Sequence, residues 1–92
     1  MSSAEALEHP VYRRLTESAQ AFTRHAVLHE LGQRLRAVPS GDPLVRRARH
    51  CLGRGVPYFA PADAHYRDWA AQVAALWAAL DARAQRAGGS QP

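Results

Sequence analysis

His25 and His29 stand four residues apart, one helical turn, a spacing that can bring two imidazole nitrogens to one divalent metal ion. A third ligand would have to come from Glu30, His50, Cys51 or His65, and no HExxH pattern organises one. The pair is therefore expected to be two half-exposed helix histidines, and no metal or cofactor is assigned. Cys51, the one thiol, falls on the inward face of a short helix and near its negative C-terminal end. A thiolate is disfavoured there, so Cys51 is expected in the core. Glu30 with Arg34, and Asp63 with Arg67, have the i to i+4 spacing of helix ion pairs, worth about 0.3 to 0.5 kcal/mol each. With no glycine-rich phosphate loop and no paired carboxylates, the chain is expected not to be an enzyme, and no residue is assigned a catalytic role.

The cationic residues make the stronger signal. The formal net charge is +4, and all 12 basic side chains are arginine. Lys, Asn and Ile are absent, as expected of a bacterial genome rich in G and C, so arginine abundance alone does not mark a nucleic-acid binder. Its distribution is more informative. No acid lies between Asp42 and Asp63, whereas Arg46, Arg47, Arg49 and Arg54 all do, with His50 beside them. This segment is a candidate anion or nucleic-acid site, since each guanidinium can bind a phosphate bidentately. "HAVLHELGQRLRAV", "PSGD" and "PLVRRARHCL" also supply the helix, turn and helix of a DNA-binding motif. The second helix, however, has no Asn, Gln, Ser or Thr to read base edges.

The elements that must position these residues follow from punctuation. Ser2 and Glu5 have capping-box spacing for a short leading turn, and Pro10 suits the first position of a long helix reaching about Val38. "PSGDP" stops that helix. Asp42 is a good N-cap and Pro43 a good first residue for a short helix ending at Leu52, closed by Gly53. Pro61 is expected to open the last helix, and Gly88 and Gly89 to end it. The 19 alanines lean the composition toward helix, and no strand-like alternation is present. The chain is thus expected to be all-α: a small three-helix bundle, long, short and long. An N-terminal arm would span residues 1–9, one helical domain residues 10–87 and a flexible tail residues 88–92.

"WAAQVAALWAAL", residues 69 to 80, contains no charge. As a helix it spans about 18 Å, too short for a bilayer core, and the N-terminus lacks the basic start and apolar stretch of a secretory signal. A cytoplasmic protein without a membrane span is expected. Tyr66, Trp69, Val73, Leu76, Trp77 and Leu80 form one apolar stripe of this helix, and Ala71, Ala74, Ala75, Ala78 and Ala82 form another on the opposite face. On the long first helix, Val11, Leu15, Ala19, Phe22 and Ala26 lie half a turn from Leu28, Leu31, Leu35 and Val38. Either that helix kinks near residues 24–29, or its halves face different partners. Both helices therefore carry more apolar surface than a small chain is expected to cover. Leu28, Leu31, Leu35 and the five alanines become candidate contacts to another chain, most simply an identical one. The function expected is a small accessory or adaptor protein, a homodimer or a subunit of a larger complex. The alternative is a dimeric DNA-binding regulator that uses the four arginines on phosphate.

Overall fold

The computed structural model describes residues 3–18 and 20–89, and every regular element among them is helical. Ser2, Ala19 and residues 90–92, which figured in the leading cap, the first apolar side and the tail, lie outside the described residues. The helices are α1 (Ser3–Glu8), α2 (Pro10–Glu17), α3 (Ala21–Leu35), α4 (Pro43–Leu52) and α5 (Ala64–Gly89). The all-α expectation holds. The three-helix arrangement becomes these five described helices, because the leading turn forms the helix α1 and the long helix expected from Pro10 is interrupted once.

The boundary between α1 and α2 falls at His9, as expected from Pro10. The His9 backbone is extended, its Nδ1 accepts from the Val11 amide, and Pro10 occupies the first helical position, where it needs no donor. The long helix is interrupted at residues 18–20, ahead of the kink expected at residues 24–29. Ser18 and Gln20 are both extended, and the Ser18 hydroxyl accepts from the Gln20 amide and bonds the Thr23 hydroxyl. A serine side chain thus offers the backbone a local alternative to the helix, with no glycine or proline involved. The break resolves the conflict of phase. Leu15 on α2 and Val27 and Leu31 on α3 are all fully buried, whereas Phe22, which a continuous helix would have placed beside Leu15, is 68% exposed.

The ends of α4 are as expected. Asp42 accepts from the Leu44 amide, and Gly53 closes the helix. A Cβ on Gly53 would stand 2.8 Å from the Arg49 carbonyl oxygen, so only glycine fits. Gly55 follows in the left-handed region, φ 83°, and starts the connector to α5. The last helix opens at Ala64 instead of Pro61, because Asp63 acts as the cap and accepts from the His65 amide. It runs on through Gly88 to Gly89.

α5 is the axis of the fold. α1, α2 and α4 pack along it, α3 touches it more lightly, and α2 also meets α1 and α3. The molecule is elongated, 45 × 24 × 21 Å. Tyr66, Ala70, Val73, Ala74, Leu76, Trp77 and Leu80 are all buried within the one chain. Part of that cover comes from α1, whose Ala6 is buried, so the described part of the N-terminal arm belongs to the core. Two candidate partner contacts are corrected accordingly. Leu31 and Ala74 are fully enclosed by the chain's own helices and have no surface to offer a second chain. Leu28, Leu35, Ala71, Ala75, Ala78 and Ala82 are half-buried. No helix among the described residues is long and apolar enough to cross a membrane.

Two carboxylates pin the outer helices to α5. Asp81 accepts from Arg34 Nη1 on α3 and from His9 Nε2, each at 2.8 Å. Because His9 Nδ1 already accepts from Val11, its proton sits on Nε2 and points at Asp81. Asp42 accepts from Arg83 Nη1 and so ties α4 to α5. The expected local pairs, Glu30 with Arg34 and Asp63 with Arg67, give way to this longer-range pairing of Arg34 and to the capping by Asp63. Desolvation pushes the Asp81 carboxyl up, but the hydrogen bonds from His9 and Arg34 outweigh it, and the net shift is downward. Arg83, aided by the Leu44 amide, holds Asp42 below the usual carboxylate range. A carboxylate depressed in the folded state stabilises fully above its unfolded pKa, about 3.9, and loses that contribution as pH falls through the folded value. Thermal melts are therefore expected to hold level down to about pH 5 and then decline, less steeply for Asp81→Asn. An identical acid limb in that variant would show that Asp81 does not couple α1 and α3 to α5.

Candidate functional site

Two helical stripes meet between α4 and α5. Asp42 at the start of α4 binds Arg83 late in α5, and the end of α4 lies beside the first turns of α5, so the two helices run antiparallel. This turns Arg46, Arg47, His50 and Cys51, followed by Arg54, toward His65, Asp68, Trp69, Gln72, Ala75 and Leu76. Between them is a cleft of about 860 Å³. Three guanidinium groups and two imidazoles face a single carboxylate, Asp68, which accepts from Gln72 Nε2 at 2.9 Å. Among the described residues Arg46, Arg47 and Arg54 carry no ion pair, whereas Arg13, Arg34 and Arg83 each do.

The floor of the cleft is apolar. Trp69 packs on Tyr66, ring centroids 5.6 Å apart, and Tyr66 meets Phe59 edge-on at 5.7 Å. The Tyr66 hydroxyl donates to the Leu15 carbonyl in the last turn of α2, a group the helix itself leaves without a partner. Burial pushes the Tyr66 hydroxyl above its ordinary pKa, against the pull of the nearby Arg24. Cys51 lies in the wall of the cleft and in the core, as expected. Burial raises its pKa and outweighs the lowering by Arg54, which keeps the thiol protonated and weakly nucleophilic.

The structure divides the four candidate arginines. Arg46, Arg47 and Arg54 line this cleft, but Arg49 is on the other side of α4. There it lines a shallow apolar groove of about 590 Å³ with Arg36, Gly32, Leu35, Val45, Ala48, Leu52 and Gly53. At ~100° per residue Arg47 and Arg49 lie about 160° apart around the wheel, with Arg46 between them about 60° from Arg49, so the cleft takes one end of this spread and the groove the other. His65 and Trp69 were missed as members of the site. Their only sequence signal is that 65, 69, 72 and 76 recur at helical spacing, and which helix that stripe faces is decided by the antiparallel crossing.

His25 and His29 are both exposed, and the His29 ring bonds Gln33 at 3.3 Å. Among the described residues no three His, Cys, Asp or Glu side chains come together as a metal-holding group. Compared with known protein families, with curated proteins and with solved structures, the chain matches none.

Proposed function

We propose that the chain is a small helical accessory protein that acts by binding, and that the α4–α5 cleft holds an acidic segment of a larger protein partner. The observation that carries this reading is the convergence of three unpaired guanidiniums on one concave surface floored by Trp69, Ala75 and Leu76. An acidic peptide uses both parts, its carboxylates on the arginines and its apolar side chains on the floor. Bare phosphate uses only the first. Two observations weigh against the DNA-regulator alternative. Arg49 diverges from the other three arginines, and residues 36–42 separate α3 from α4, longer than the three or four residues of a helix-turn-helix.

The test is fluorescence titration of the untagged chain with a dye-labelled ten-residue peptide of alternating Glu and Leu, and separately with a labelled DNA duplex, both near physiological salt. The peptide is expected to bind, and Arg46→Glu with Arg54→Glu to weaken it about tenfold or more. Tighter binding of the duplex, with a steep salt dependence removed by Arg→Ala at the same positions, would move the reading to the regulator. Binding of neither ligand would remove it.

A further inference from the structure

The apolar groove on the opposite flank of α4 is independent of the basic cleft. Leu35 on α3 and Val45, Ala48 and Leu52 on α4 line it, and Arg36 and Arg49 stand at its rim without ion pairs. It is open because α3 makes its main contacts with α2 and α5, not with α4. At Gly32 an added Cβ would have nothing within 4 Å, so the floor has room for an incoming side chain. No acid lines the groove. An occupant that fits has an aliphatic side chain beside carboxylate.

The chain carries such a feature itself. Among the described residues three large apolar side chains are markedly exposed: Leu7 at 47%, Phe22 at 68% and Tyr58 at 94%. Phe22 and Tyr58 have no acid within three residues on either side in sequence. Leu7 is followed directly by the exposed Glu8 on a helix held to the core through Ala6. Leu7 does not line the groove of its own chain. Yet α1 ends just before His9 and α3 just past Arg34, and both of these residues hold Asp81, so the leucine-bearing helix and the α3 side of the groove are anchored toward the same end of α5. Two chains brought together at that end can fill each other's grooves reciprocally, which closes the contact with two-fold symmetry. We infer that the α3–α4 groove receives Leu7 of a second copy of this chain, with Glu8 of that copy against Arg36 and Arg49.

The contact is small. Self-association with a dissociation constant on the order of 0.1 mM is expected, because the surface covered is less than the ~1,200 Å² of a standard interface. Sedimentation velocity across about 10 μM to 1 mM, bracketing that value, should show a monomer passing to a dimer. Leu7→Arg, and separately Arg36→Glu with Arg49→Glu, should each weaken the dimer about tenfold, a surface change with helicity retained by circular dichroism. Adding Glu8→Arg to the second variant restores opposite charges and should recover association to within about threefold of the wild type. Arg46→Glu with Arg54→Glu, which weakens the acidic-peptide site, should leave the dimer unchanged. A chain that stays monomeric to 1 mM, or a dimer indifferent to both groove and Leu7 substitutions, would overturn the inference.

Discussion

Leu31→Ala is expected to cost the isolated chain about 2 to 5 kcal/mol. Leu31 has no exposed surface and belongs to one cluster with Leu15, Val27, Leu76 and Trp77. Shortening it removes the transfer energy of the lost methyl groups and leaves a cavity that rigidly packed helices only partly close. At about 0.05 to 0.15 kcal/mol per residue, a chain of this length has roughly 5 to 14 kcal/mol in all, so a large fraction would be lost. The melting temperature should fall by about 4 to 8 °C for each kcal/mol. The same experiment separates two roles for this residue. A leucine that served a partner would leave the dilute chain's melt unchanged and weaken association instead. Leu28→Ala, at a half-buried position one turn earlier, should cost distinctly less. Equal melts for Leu31→Ala and wild type would mean that α3 is not packed as described.

Local chemistry made some elements legible and left their partners open. The ends of α4 could be read because Asp42, Pro43 and Gly53 each act on their own neighbours, by capping, by pre-set φ and by fitting under the Arg49 carbonyl. The break after α2 was visible only as a contradiction: Leu15 and Leu31 could not share a side of one helix. Its location depends on Ser18, Gln20 and Thr23, residues common inside helices as well as at their ends. The apolar circumference of α5 was legible, but not how much of it the chain covers by itself. Breaking the first helix in two gives the chain more separate packing surfaces than three rods provide. α1, α2 and α4 then enclose Ala74 and most of the tryptophan-bearing stripe, while Ala71, Ala75, Ala78 and Ala82 stay half-buried. The Arg46 to Arg54 segment was legible as a charge cluster. Its division into a basic cleft and an apolar groove required knowing that α5 lies on one flank of α4 and the end of α3 on the other.

Arg24→Met is expected to raise stability, by about 1 to 2 kcal/mol, although it deletes a buried charged side chain. Arg24 is 6% exposed, and its Nε and Nη1 have no hydrogen-bond partner. Among the described residues no carboxylate pairs with it. A guanidinium cannot shed its charge on burial as a lysine or histidine can, so the desolvation cost stands. What offsets it is a ring contact, with the guanidinium carbon 5.5 Å from the Phe59 centroid, and the approach to the Tyr66 hydroxyl. A desolvated cation–π contact returns about 2 kcal/mol, less than the several kcal/mol that burying an uncompensated ion costs. Methionine fills a similar length with a flexible apolar chain and keeps contact with the rings. The expected gain, at about 4 to 8 °C per kcal/mol, is readable in a thermal melt. A second readout comes from the tyrosine. Arg24 lowers the Tyr66 pKa, so its removal should move the phenolate absorbance step of that residue to higher pH. Loss of more than about 1 kcal/mol in the methionine variant would show that the cation finds acceptors in solution and holds Phe59 and the α2–α3 junction in place. A gain in stability together with the shifted tyrosine titration would instead mark Arg24 as a strained residue that the aromatic ladder beneath the cleft tolerates without needing it.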